Sequence, residues 1–403
     1  MRVGHAGQFH LTYCTNVHPG TSWQDMAASL QRHAPPLKER FAPDHPFGIG
    51  LRVSGDASKE LLENNELQRF QAFLREHGLY VFTMNGFPYG PFHGQAVKED
   101  VHAPDWRDPE RVAYTRRLID ILAELLPEGM DGGISTSPLA YSAWVDENDD
   151  ATWRLFVRHL VEIAAHLHEA HHRTGKFIHL DIEPEPDGLL GDCGDLVAFY
   201  KDWLRPHGAD LLAQRICVPH DEAESLLLDY LRVCFDTCHV AVGYESPGNV
   251  LRDFQAHGIK VGKIQVSSAI KAELTGDQAS RSAQADALRA FDEPTYLHQV
   301  VQRNADRSLT RYPDLGPALS AGVDEHAQEW RVHFHVPIFV DRYAEFASTQ
   351  DTIRETFALL QEQPFTNHLE IETYTWDVLP RELKEDLLTS IGREYTWVLH
   401  ALQ

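Results

Sequence analysis

Nowhere in its 403 residues does the chain approach the roughly 18 consecutive apolar residues that span a bilayer. The opening MRVGHAGQFHLTY also lacks the apolar core of a secretion signal. These absences point to a cytoplasmic protein with no membrane insertion. Basic residues are scarce: Lys and Arg number 36 against 60 Asp and Glu, a formal charge of −24. Nucleic-acid backbones are gripped by basic side chains, so nucleic acid is excluded as the main partner. The five cysteines are odd in number and contain no CxxC pair, which gives neither a disulfide framework nor a structural zinc site. Reduced thiols fit better, and Cys234 and Cys238 read as small buried side chains. Missing too are a GxSxG nucleophile elbow and a GxxxxGK[ST] phosphate loop. No tract rich in Pro, Gly or Ser divides the chain.

What is present is a hydrophobic fraction of 43%, enough for a large core, arranged as strand-like runs between helix-like stretches. Nine candidate strands stand out: Phe9–Thr15, Phe47–Val53, Tyr80–Asn85, Gly132–Thr136, Phe177–Ile182, Val233–Thr237, Val261–Val266, Val332–Ile338 and Leu369–Thr373. Amphipathic stretches such as Asn65–His77, Asp108–Leu126 and Thr152–Arg173 lie between them. This alternation predicts parallel strands with crossover helices. An open doubly wound sheet would carry a Gly-rich turn after its first strand, where this chain reads TYCTNVHPG. The expectation is therefore a single (β/α)₈ TIM barrel over residues 1–403, with one surplus strand. The irregular, polar segment 271–330 is expected as an insertion between late strands, serving as a lid, an oligomer contact or a surface excursion.

Strand side chains alternate, so residues two apart share a face. His179, Asp181 and Glu183 share one, as do Cys234 and Asp236, Lys263, Gln265 and Ser267, His333 and His335, and Glu370 and Glu372. In a barrel such polar faces point inward, toward the C-terminal mouth where chemistry sits. So many polar groups are costly to bury unless they pair with one another or hold a cation. Glu183, Asp236 and Glu372 form a hard-oxygen set that suits Mg²⁺ or Mn²⁺. Gln265 or His335 would complete it, and a nitrogen ligand would widen the choice to Zn²⁺ or Co²⁺. The bland alternative is a set of salt-bridged barrel residues with nothing bound. His239, just past a strand end, reads as a supporting group, a substrate donor or a ligand to a second metal. Asn85, Phe87 and Tyr89 in the loop after the third strand, with Glu185 and His333, are expected to contact substrate, Phe87 and Tyr89 as stacking rings or, equally, as aromatics packed within the loop or core.

Glu183, Asp236 with His239, Gln265 and Glu372 resemble, in order and strand position, the xylose-isomerase-like barrel superfamily of sugar isomerases, ketose epimerases and endonuclease-IV-type enzymes. The run Asp236–His239 resembles the metal-binding strand of the endonuclease branch. Over most of the chain, LTYCTNVHPG, MNGFPYG, EPEPDGLL, DTCH, KIQVSSA, HFHVP and EIETYTW resemble the bacterial EboE family of metabolite-traffic proteins. That resemblance implies a small-molecule ligand, with Ebo-cluster proteins or a second copy as protein partners. The superfamily implies a metal shell of Glu183, Asp236, Gln265 and Glu372, with His335 as a substitute. It also implies Glu183 and Glu372 as proton-exchanging catalytic residues and His239 as an orienting one. Epimerases carry His where this chain has Gln265, and the nuclease branch needs early histidines where it has Asn85 and Thr136. The expected activity is a metal-dependent isomerase or epimerase on a sugar, polyol or cyclitol, phosphorylated or not, through an enediolate. The alternatives are a non-catalytic metabolite binder and a metal-dependent phosphodiesterase.

Overall fold

The computed structural model describes residues 1–343, 345–380 and 384–403. Eight parallel strands form its centre: β1 (Phe9–Tyr13), β2 (Phe47–Arg52), β3 (Leu79–Asn85), β4 (Gly132–Thr136), β5 (Ile178–Ile182), β6 (Leu231–Asp236), β7 (Val261–Val266) and β8 (His368–Ile371). Their ladder runs β1-β8-β7-β6-β5-β4-β3-β2, and a parallel bridge between Cys14 and Gly50 joins the two ends. The chain is therefore a (β/α)₈ barrel. A two-residue strand, Arg2–Val3, lies antiparallel against β1.

The helices between the strands start and stop where the sequence places caps. Helix Pro109–Leu125 begins behind Asp108, whose carboxylate accepts from the Glu110 amide, with proline at the first helical position. Helix Asp150–Thr174 stops at Gly175, where φ is +71°, a conformation that strains a residue with a β-carbon. Both helices bury one apolar face against the strands.

The polar faces do meet inside the barrel. Lys263 on β7 lies 2.5 Å from a Glu370 oxygen on β8, with both side chains fully buried. His179 Nδ1 sits 2.6 Å from Asp181. Space for these groups comes from missing side chains on neighbouring strands. A β-carbon on Gly50 would sit 1.9 Å from Glu370 Oε1, and one on Gly262 would sit 1.8 Å from Asp181 Oδ1. Replacing Lys263 alone by Met should cost about 3–5 kcal/mol, because it strands a buried carboxylate. The double variant Lys263→Met/Glu370→Gln should recover much of that loss in urea unfolding. Equal losses in the single and double variants would mean the pair does not act as one unit.

The surplus strand is Val332–Ile338. Its VHFHVP pattern has the period of a barrel strand, yet only its first residue is in a strand, Ala327–Val332, and that strand belongs to a second sheet. The segment beyond Val332 crosses the barrel mouth instead. It is tied there by His333 N to the Gln299 carbonyl at 2.8 Å and Val336 N to the Ser268 carbonyl at 2.9 Å. Period two reports an extended chain with two different sides, and it does not say which sheet, if any, the chain joins. The second sheet has six strands in the order Leu309–Tyr312, Val300–Asn304, Ala327–Val332, Ile270–Glu273, Phe346–Ser348 and Arg342–Tyr343. The excursion between β7 and β8 thus reaches from Ile270 to Ser348, further than the 271–330 read from polarity alone.

Candidate metal centre

At the C-terminal mouth, Glu183 follows β5, Asp236 ends β6 and Glu372 follows β8. One oxygen from each lies within 4.8 Å of the other two. Glu372 is fixed by two amides, Asn16 Nδ2 at 2.7 Å and Asn85 Nδ2 at 2.9 Å, both donating to Oε1. Glu183 receives the Gln265 amide nitrogen at 3.2 and 3.3 Å. Asp236 Oδ1 caps the short helix that follows it, accepting from the Cys238 and His239 amides and from the Ser267 hydroxyl at 2.5 Å. Its other oxygen, Oδ2, is buried with no hydrogen-bond partner among the described residues. Burial, then the charges of Glu372 and Asp236, pushes the Glu183 carboxyl well above the usual range. Burial, then Asp236 and Glu370, does the same to Glu372. These groups resist ionising together unless a cation joins them.

A second set of donors lies alongside. His239 Nδ1 is 2.9 Å from the Pro184 carbonyl, and His335 Nδ1 is 2.8 Å from the Glu372 carbonyl. His333 Nδ1 is 2.7 Å from Gln299 Oε1, an oxygen whose orientation is set because the Gln299 amide nitrogen donates to the Pro186 carbonyl. Each Nδ1 faces an acceptor and so must carry the proton, which leaves each Nε2 as a bare lone pair. Those lone pairs converge, at 3.1 Å between His239 and His333 and 3.2 Å between His333 and His335. Protonation does not resolve the clash at neutral pH: burial lowers all three imidazoles, His335 to about 4. A tetrahedral cation with nitrogen ligands at about 2.0–2.1 Å would separate those ligands by about 3.3 Å, close to the spacing seen. Asp236, His239 and His335 also fall within ligand distance of one another, so Asp236 stands between the two donor sets.

The sites expected from sequence divide here. Glu183, Asp236, Glu372, His239, His333 and His335 come together. Asn85, Phe87 and Glu185 line the cavity over them. Gln265 lies behind Glu183 and turns its amide nitrogen toward it, because an amide beside a carboxylate presents its donor; its oxygen has no partner among the described residues. Tyr89 is not in the cavity. Its hydroxyl donates to Glu110 at 2.8 Å and its ring packs on Tyr114, against the surface helices. Asn16, Lys98, His102, Tyr296 and Tyr374 were not read from the sequence. Asn16 and Tyr374 lie just beyond strand ends, where position alone could have flagged them. His102 is fully buried 3.9 Å from Glu185, with neither ring nitrogen partnered among the described residues. No local pattern marks it or Tyr296.

No family model and no curated protein matches the sequence. Among solved structures, the chain is similar to the IolI protein with a binding zinc atom, at 12% identity over 98% of both chains and a TM-score of 0.47. It is also similar to a xylose isomerase domain protein from Planctomyces limnophilus, at 13% identity over 88% of both chains and a TM-score of 0.45. A third is the probable 3-DHS dehydratase AsbF from Bacillus anthracis, at 12% identity over 96% of this chain and 98% of that one, with a TM-score of 0.44. Likenesses at this level say nothing of the reaction. Among the described residues, no helix is long and apolar enough to cross a membrane.

Proposed function

We propose that the chain is a divalent-metal-dependent isomerase or epimerase acting on a sugar, polyol or cyclitol. The observation that carries this reading is the convergence of Glu183, Asp236 and Glu372 at three strand ends, with one Asp236 oxygen buried and unpartnered. A hard cation such as Mg²⁺ or Mn²⁺ suits these oxygens, and Zn²⁺ or Co²⁺ suits His239 and His335 with Asp236; either would polarise vicinal substrate oxygens.

The protein's own part is positional and acid–base. Glu183 and Glu372 reach the cavity from separate strands, β5 and β8, so each can take up or return a proton at a substrate carbon. Asn16 and Asn85 hold Glu372 in place while it does so, and Gln265 holds Glu183. Glu185, buried with Oε2 unpartnered among the described residues, accepts a substrate hydroxyl. Phe87 gives the C–H face of the substrate a wall. Lys98 is, among the described residues, the one Lys or Arg lining the cavity, and Asp314 holds it at 2.6 Å. That favours an unphosphorylated substrate. The reading keeps the resemblance to the EboE family, a cytoplasmic location, and one domain over residues 1–403 carrying the segment inserted between β7 and β8. Its partners are then a small molecule, with Ebo-cluster proteins or a second copy of the chain.

Elemental analysis of the purified protein, with mass spectrometry of any co-purified small molecule, tests this. We expect two divalent ions per chain, and one in a His333→Ala/His335→Ala variant. Protein that stays metal-free after dialysis against Mn²⁺ and Zn²⁺ would sink the reading.

A further inference from the structure

Two stretches of chain meet over the cavity from different parts of the fold. One is the loop of residues 86–104 after β3, and the other is residues 293–298 of the excursion between β7 and β8. The ends of the loop are held to the barrel, by Arg111 at the Gly86, Phe87 and Pro104 carbonyls and by Gly55 N at the Tyr89 carbonyl. Its tip, residues 92–101, meets the second stretch through a short set of bonds that includes His93 Nδ1 to the Tyr296 hydroxyl at 3.1 Å. The Val97 and Lys98 amides both donate to the Thr295 carbonyl, at 2.7 and 3.0 Å. The Lys98 ammonium pairs with Asp314 at 2.6 Å and reaches the Glu293 carbonyl at 3.3 Å. The Tyr296 hydroxyl donates to the Phe92 carbonyl at 2.9 Å. Between them Phe92, Val97 and Tyr296 form a small apolar cluster separate from the main core. A patch with so few buried contacts opens at a fraction of the cost of unfolding the barrel.

Two further observations bear on this seam. Lys98 has φ +41°, a left-handed conformation that strains a non-glycine residue and is kept only while its surroundings hold it. Beneath the seam, Glu183 and Asp236 are each 2% exposed, His335 1%, Glu372 4% and His239 8%. Phe92, Val97, Lys98 and Tyr296 of the seam line the same cavity as Glu183, His239, His335 and Glu372.

We propose that the seam is a gate: the loop tip, residues 92–101, swings away from residues 293–298, releasing the Lys98–Asp314 latch, to admit metal and substrate, and then closes over them. The left-handed Lys98 relaxes on opening, and the latch re-forms it on closing. The latch is only partly shielded, with side chains 26% and 17% exposed, so opening quickens as salt rises. Metal as a probe of the gate rests on the proposed metal centre.

The experiment uses the full chain as Val97→Cys/Thr295→Cys, with the exposed Cys217 replaced by Ser. Metal-free protein is mixed with Co²⁺ in the oxidised and reduced forms, and the growth of the cobalt absorption band is followed, then its loss to EDTA. Both rates should be about 100-fold slower in the cross-linked form. Lys98→Ala and Asp314→Asn should speed release roughly three- to tenfold. A second readout needs no metal: carbethoxylation of His333 and His335, located by mass spectrometry, should slow in the cross-linked form to the same degree. Equal rates in the oxidised and reduced forms would overturn the gate. If the disulfide does not form, unchanged rates in both latch variants would overturn it. Absence of any cobalt band, with carbethoxylation still gated, would overturn the metal centre and leave the gate standing.

Discussion

Metal-free protein is expected to lose stability as pH rises from about 6.5 to about 8, and divalent metal to flatten that slope. Burial, then Asp236 and Asp187, raises Glu185 to about 8, and burial alone is the first cause for Asp181 and Glu394, both also near 8. Glu183 and Glu372 are raised as well. In the unfolded chain these carboxyls lose their protons near the ordinary value of about 4. Burial lowers His10, His102, His333 and His335, so below about 6.5 the unfolded histidines offset this excess, and the folded protein holds more protons than the unfolded one between about 6.5 and about 8. Folded-state protonation is an advantage at the acid end of this window and is lost as pH climbs through it. Each extra proton held contributes a slope of about −1.4 kcal/mol per pH unit. A cation at Glu183, Asp236 and Glu372 favours their ionised forms, so its binding releases protons and strengthens with pH. At a thousandfold excess over its dissociation constant it would add about 4 kcal/mol. Urea unfolding at pH 6.5, 7 and 8, with EDTA or with Mn²⁺ or Zn²⁺, reads both effects. Apo stability that climbs with pH, or is indifferent to both metals, would contradict this account of the site.

Glu372→Gln is expected to abolish exchange of a substrate C–H proton with solvent, with a loss of at least about 10²–10⁴-fold. The substitution is nearly isosteric, and the glutamine oxygen can still accept from Asn16 and Asn85, so the side chain keeps its place. What goes is the negative charge that takes up the proton and attracts a cation. Metal should bind more weakly but still bind, because Glu183, Asp236 and the imidazoles remain. Deuterium incorporation from D₂O into a panel of aldoses, ketoses and cyclitols, followed by mass spectrometry, is the measurement. Undiminished exchange would remove Glu372 from the chemistry. Asn85→Ala serves as a companion: it frees Glu372 without discharging it, so it should lower exchange by a smaller factor than Glu372→Gln.

The barrel was legible because its signals are local and repeated. Strand and amphipathic stretch recur along the chain, and alternation alone sets Glu183, Asp236 and Glu372 each on the polar face of its own strand. The same signal misled at Val332–Ile338, where an extended chain over the mouth alternates as a strand does, so His333 and His335 were assigned to a barrel strand they do not occupy. Tyr89 was read as facing the mouth because its loop does. Its hydroxyl found Glu110 instead, a partner 21 residues away that no periodicity reveals. The protonation of the three imidazoles was out of reach for a similar reason. It depends on the Pro184 and Glu372 carbonyls and on a Gln299 amide that Pro186 holds in place, all contacts made by the tertiary fold.

The two donor sets rest on different kinds of scaffold. The three carboxylates sit at the ends of barrel strands, whose positions are fixed by ladders on both sides. Of the three imidazoles, only His239 follows such a strand; His333 and His335 ride on the excursion between β7 and β8. That excursion is no loose addition, because its Trp330, Val332 and Phe334 belong to the main core. Under the proposed metal reading, a local change around His333 and His335 would alter the nitrogen donors while the carboxylates at the strand ends keep their places.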